Sequence, residues 1–150
     1  MERVVLGDGR LSVERAGDGE FDLLVLDAYS SDAIPVHLLT REALAIYLRK
    51  TAPDGVVLLH ISNRHFNLLP VVGALVRDAG AAGLYQAYSP PAAPTPQWED
   101  LSSLWVAVAK RESALSFLEA SGKWRPLIAD PSVRVWTDDY SNVFSTIYWH

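Results

Sequence analysis

Two aspartates, Asp27 and Asp32, sit five residues apart in LVLDAYSSDAIPVHLLTREAL, between a long apolar run and the start of a helix. A carboxylate held at the end of a rigid strand can accept a hydrogen bond or take a proton, which is the work of a general base. Asp27 has that position. Asp32 lies further along the loop, which can fold it back toward Asp27; its competing role is a turn cap before Pro35. A third acid, Asp8, stands between Gly7 and Gly9. Those glycines let the backbone pass close to a flat ligand while Asp8 accepts a hydrogen bond from it; an Asp-Gly turn capping its own amides is the alternative. Asn63, in HISNRHF, both donates and accepts, so ligand contact and turn stabilisation both fit it.

His37, His60 and His65 raise the question of a metal. Their spacing follows neither the H-E-x-x-H pattern nor a tight ligand cluster, so no metal site is assigned. His60 lies within an apolar strand and reads as a packed histidine with one ring nitrogen satisfied, while His37 reads as a capping or solvent-facing residue. Asp138, Asp139 and Tyr140 read as an exposed charged tail, and the five tryptophans as core or interface. There is no cysteine, which excludes disulfides and thiolate chemistry. No G-x-G-x-x-G is present, so the rim carries candidate acids without the usual nucleotide cradle.

These residues must be positioned by the elements between them. RVVLG reads as a short strand stopped by Gly-Asp-Gly, and LSVERAGDG as a short helix. FDLLVLDAY is nearly continuous in branched and aromatic side chains, the pattern of a strand covered on both faces. Thr40 can cap a helix with Leu44, Tyr47 and Leu48 on one side, stopped at Pro-Asp-Gly. GVVLLHISN and LLPVVGALVRDAG repeat strand and helix, with Pro70 in the first turn and Gly80 at the end. AGLYQAYS and LWVAVAK are strand-like, separated by a proline-rich stretch, and the second is expected to run antiparallel to its neighbours. ESALSFLEASG reads as a short helix before an irregular tail. The expected fold class is α/β: a single domain over residues 1–150, a three-layer sandwich with a mostly parallel sheet containing strands around Val4, Leu24, Val57, Tyr85 and Val106. Ligands on such sheets bind beyond the carboxyl ends of the strands, where Asp8, Asp27 and Asn63 would share a rim.

With 150 residues, 49% of them hydrophobic, the chain can fill one core. A net charge of −5 and the lack of a Lys/Arg run argue against nucleic acid or an anionic membrane surface as partner. The acidic balance suits cationic ligands instead. No segment has the length and apolarity of a membrane span, MERVVLGDGR lacks the order of a secretory leader, and the expected compartment is the cytoplasm.

Taken together, VVLGDGRLSVE, FDLLVLDAYSSDAIPVHLLTREAL, APDGVVLLHISNRHFNLLPVV, LWVAVAK and WTDDYSNV resemble the spermidine synthase-like polyamine aminopropyltransferases. The resemblance covers most of the chain in order. It implies a methyltransferase-like Rossmann fold, with decarboxylated S-adenosylmethionine as cosubstrate and putrescine or a related polyamine as acceptor. By the same resemblance Asp8, flanked by Gly7 and Gly9, contacts the adenine amino group. Asp27 is then the catalytic aspartate, Asp32 holds the amine, and Tyr88 lines the amine pocket. Here DAYSSDAIP is longer than the family's usual acidic motif and lacks its Gly-Pro pair.

The resemblance also places the family's first strands, its glycine-rich loop and its ribose-binding acid before Met1. Residues 1–150 alone are therefore expected to be a poor catalyst and to associate as a homo-oligomer through exposed sheet edges. A methyltransferase of related fold, or a noncatalytic polyamine or nucleoside binder or structural fragment, are the rival expectations.

Overall fold

The computed structural model describes residues 4–27, 35–63, 65–90 and 102–147. In chain order these form α1 (Gly9–Glu14), β1 (Phe21–Leu26), α2 (Arg41–Lys50), β2 (Thr51–His60), α3 (Leu69–Asp78), β3 (Ala82–Tyr88), β4 (Ser103–Ala109), α4 (Ser116–Ala120) and β5 (Arg125–Pro126). Short 3-10 turns occupy Val36–Leu38, Glu112–Leu115 and Val143–Thr146.

The local signals hold where they are local. Thr40 caps α2, its hydroxyl oxygen accepting the Ala43 amide at 3.2 Å. Pro70 lies in the first turn of α3, and Gly80, at φ +62°, turns the chain out of it. The Pro-Asp-Gly after α2 is not a separate stop. The strand begins at once at Thr51, and the register jumps from Phe21↔Thr51 to Leu23↔Val56, so residues 52–55 bulge out of the ladder.

The five strands lie in the order β1-β2-β4-β3-β5. Only β1 and β2 pair in parallel; β2–β4, β3–β4 and β3–β5 are antiparallel. The expectation of a mostly parallel sheet is therefore wrong, and the sheet is mixed and mostly antiparallel in its pairings. Helical crossovers account for the β1–β2 pair, but β4 returns against β3 and inserts between β3 and β2, a step that needs no crossover helix. LWVAVAK does run antiparallel to both neighbours, as its flanks suggested. Because β2 and β3 both oppose β4, strands β1, β2 and β3 still share one direction, and their carboxyl ends lie at one rim.

Two further expectations fail. Val4, Val5 and Leu6 form no strand and are 79%, 55% and 93% exposed; among the described residues no sheet edge pairs with them, and an apolar run becomes a strand only with a partner. Nor is β1 covered on both faces: Leu24 and Leu26 are buried, whereas Leu23 and Val25 are about half exposed.

The main core lies on one face of the sheet, where Leu24, Leu26, Val57, Leu59, Val106 and Val108 meet Ala43, Leu44, Tyr47, Val71, Val72 and Leu75 of α2 and α3. A smaller cluster on the opposite face joins Val56, Leu84, Ala107 and Ala109 to Leu115, Ala114 and Leu118. That second cover reaches β2, β3 and β4 and leaves the outer face of β1 open. Trp136, in the stretch read as an irregular tail, is 1% exposed and belongs to the main core. Its carbonyl accepts the Arg41 amide, tying the tail to the start of α2. Among the described residues no helix is long and apolar enough to cross a membrane.

Candidate functional site

The parallel register of β1 on β2 ends at Leu26↔Leu59, so the next pair along brings Asp27 opposite His60. Asp27 Oδ1 lies 2.6 Å from His60 Nδ1. The other ring nitrogen, Nε2, lies 2.7 Å from Ser62 Oγ, which in turn accepts the Leu104 amide at 2.7 Å. Both nitrogens of His60 are thus engaged, not one. The imidazole also stacks on Trp105, centroid to centroid 4.5 Å with 16° between the planes. Trp105 sits there because the antiparallel register pairs it with His60 and, on its other side, with Gln86.

Cross-strand partners point to the same face of a sheet. Asp27, His60, Trp105 and Gln86 therefore form one row, and Tyr88, paired with Ser103, stands at the rim on the same face. The Asp27 side chain is 59% exposed and that of His60 22%. Among the described residues, His60 is the one side chain that bonds or pairs with the Asp27 carboxylate. Tyr88 is 47% exposed. The row thus presents a carboxylate, an imidazole and aromatic surface to solvent at the carboxyl ends of like-directed strands, the usual place for a ligand on such sheets.

Asp8 is set differently. It caps α1, Oδ1 accepting the Leu11 amide at 3.0 Å, and its second oxygen lies 3.5 Å from His37 Nε2. The Leu11 amide holds the Asp8 carboxyl below its ordinary range, and the charge of His37 adds in the same direction. Gly7, at φ +132°, has a backbone that a side chain would strain, while Gly9 opens α1 and an added Cβ there would meet nothing within 4 Å. Because Val4–Leu6 is not a strand, Asp8 does not follow one, and no described hydrogen bond or ion pair joins it to Asp27. Asp32 lies outside the described residues.

Asn63 is chiefly a turn residue: its Oδ1 accepts the amides of His65 and Phe66, while its buried Nδ2 has no described partner. Asp138 is the acid whose place the sequence concealed. Arg10 grips both of its oxygens at 2.7 Å, the Thr40 hydroxyl donates to Oδ1 at 2.7 Å, and its own amide donates to Glu42. Arg10, then Thr40, hold the Asp138 carboxyl below its ordinary range, and Asp138 raises that of Arg10. This network joins α1, α2 and the tail. Burial pushes the Tyr47 phenol far up, consistent with a core hydroxyl that donates to the Leu38 carbonyl.

A cleft of about 590 Å³ opens between the start of α3 and the tail, beside Asn67, Arg134, Tyr140 and Thr146. Among the described residues its lining holds no carboxylate or imidazole, and the Arg134 guanidinium lies 3.7 Å over the Tyr140 ring. The chemistry is at the strand rim instead.

No family model matches the chain. Over 57 residues it is 39% identical to a polyamine aminopropyltransferase of Vibrio vulnificus, a stretch that makes up 37% of this chain and 19% of that protein. In fold it is similar to the crystal structure of a probable spermidine synthase from Corynebacterium glutamicum, with a TM-score of 0.60 and 13% identity, over 91% of this chain and 54% of that one. The chain thus spans about half the length of the solved structure, and its likeness to this group is one of fold.

Proposed function

We propose that this chain carries the amine-activating side of an aminopropyl-transfer site, in which Asp27 takes a proton from putrescine or a related amine as that amine attacks decarboxylated S-adenosylmethionine. The placement of Asp27 carries the reading: a largely exposed carboxylate directly after β1, held on one side by His60 and open on the other. The fold likeness to a probable spermidine synthase and the stretch of identity with a polyamine aminopropyltransferase support the same chemistry.

An alkylammonium, with an ordinary pKa of about 10.4, has no lone pair to attack with near neutral pH. Once the ammonium has lost one proton to solvent, the neutral amine nitrogen bonds to the carbon next to the sulfonium as the carbon–sulfur bond breaks. The electron pair stays on sulfur, leaving neutral methylthioadenosine. The nitrogen gains positive charge in that step, and Asp27 takes the surplus proton, a contribution of roughly 100- to 10,000-fold in typical general-base catalysis. Asp8, with Gly7 and Gly9, is the proposed contact for the adenine. Tyr88, on the same face of the rim as Asp27, and Asp32 are the proposed contacts for the amine. A net charge of −5 favours the approach of a polycation.

Mass-resolved product analysis tests this in the natural protein that carries these residues, supplied with decarboxylated S-adenosylmethionine and putrescine. The expected products are aminopropylated amine and methylthioadenosine in equal amounts. Methyl transfer from S-adenosylmethionine, or no consumption of either sulfonium, would overturn the proposal.

A further inference from the structure

Asp27 ends a chain of hydrogen bonds whose two termini have fixed polarity. At one end the Leu104 amide can only donate, and it donates to Ser62 Oγ. At the other an ionised carboxylate can only accept, and Asp27 Oδ1 meets His60 Nδ1. Between them, a neutral imidazole satisfies every contact in one way. Nδ1–H donates to Asp27, and Nε2 accepts the Ser62 hydroxyl proton while Ser62 Oγ receives the amide. The ring plane is fixed by Trp105 stacked on it.

We propose that His60 is the positioning residue for Asp27, locked as the Nδ1–H tautomer between the Asp27 carboxylate and Ser62, whose oxygen the Leu104 amide holds in place, so that Asp27 turns its second oxygen, Oδ2, to the substrate amine. The proposal rests on the aminopropyl-transfer reading for the identity of the amine, but the tautomer lock stands on the contacts alone. Two competing roles fit less well. A proton relay through His60 is unnecessary, because a carboxyl 59% exposed can release its proton directly to water. A hydrolytic Asp-His-Ser triad would need Ser62 free to attack, yet its oxygen is committed to a backbone amide of β4 and to the imidazole. The structure uses the serine to hold the histidine, and the histidine to hold the acid, as outer-shell partners fix the tautomer of a working side chain.

The test has two arms. Long-range nitrogen-15 correlation spectra of the histidine rings should show His60 with its proton on Nδ1, and Asp27→Ala, which removes the acceptor that only Nδ1–H satisfies, should turn that signal into a mixture of tautomers. A proton on Nε2 in the wild type, or an unchanged tautomer in Asp27→Ala, would overturn the lock. In the transfer assay His60→Ala should lower kcat by roughly 10- to 100-fold, the scale of lost supporting contacts and of a misplacement of about 1 Å, with the amine KM little changed. His60→Asn, whose amide can donate from nearly the Nδ1 position, should recover most of that loss. Equal rates in wild type and His60→Ala would overturn the positioning role, as would labelling of Ser62 by a fluorophosphonate. If no sulfonium is consumed at all, the reaction proposed above fails, and the spectra still decide whether the lock exists.

Discussion

The corner built by Asp8, Arg10, Thr40 and Asp138 and the rim built by Asp27 and His60 are both charged, but they spend their charges differently. At the corner, Asp138 is bound by a guanidinium and a hydroxyl, Arg10 is drawn in to 15% exposure, and Asp8 is turned onto the Leu11 amide of its own helix. At the rim, Asp27 has one described partner and remains mostly exposed. A charge whose partners all come from the fold holds elements together; a charge held from one side at a strand end remains available to a ligand. Composition and motif alone made these acids look alike, and the contacts separate them.

Breaking the Arg10–Asp138 clamp, or the core beside it, should damage stability and leave rim chemistry without a direct loss. The largest effect is expected from Trp136→Ala, which empties a site 1% exposed in the main core. Such truncations cost about 3–5 kcal/mol, read as a fall in the denaturant midpoint. Asp138→Ala should cost less, about 1–3 kcal/mol, because it leaves the part-buried Arg10 without its carboxylate.

The pH dependence of the corner follows from the same contacts. The Asp138 carboxyl is depressed in the folded chain. Its stabilisation is therefore present above the unfolded value of about 3.9 and is lost as pH falls through the lower folded value. In Asp138→Asn the melting temperature should fall less steeply below about pH 4 than in the wild type, and parallel acid limbs would show that the clamp carries no linkage.

The smallest effect sharpens the contrast within the corner itself. Asn caps a helix about as well as Asp, so Asp8→Asn should leave the denaturant midpoint nearly unchanged. Calorimetry of the same variant should show weaker binding of methylthioadenosine if Asp8 meets the adenine. Unaltered affinity would leave Asp8 a helix cap alone.

What was legible beforehand was what neighbours in sequence decide. Thr40 announces α2 because a cap bonds three residues ahead, and Gly80 ends α3 because its own backbone permits the turn. Asp27 could be placed at a strand end for the same reason. The direction of pairing was not legible, since parallel or antiparallel sense is decided between strands, and helix-strand alternation hid the return of β4 between β2 and β3. Val4–Leu6 shows the converse, an apolar run without a described edge to join. Asp138 reads in sequence as a solvated tail residue because its partners Arg10 and Thr40 lie 128 and 98 residues away. His60 reads as packed because its strand is apolar. Its partnership with Asp27 depends on the register of β1 against β2, and the only advance signal was His60 and Ser62 at i and i+2, on one face of the strand.

The measurement that bears most directly on the central claim is the single-turnover rate of aminopropyl transfer in Asp27→Asn, with both substrates saturating, set beside its melting temperature. The substitution keeps the shape and removes the proton acceptor. The rate should fall by roughly 100- to 10,000-fold while the melting temperature and methylthioadenosine binding stay near those of the wild type. A rate equal to the wild type in a folded, ligand-binding Asp27→Asn protein would contradict the account and remove Asp27 from the chemistry.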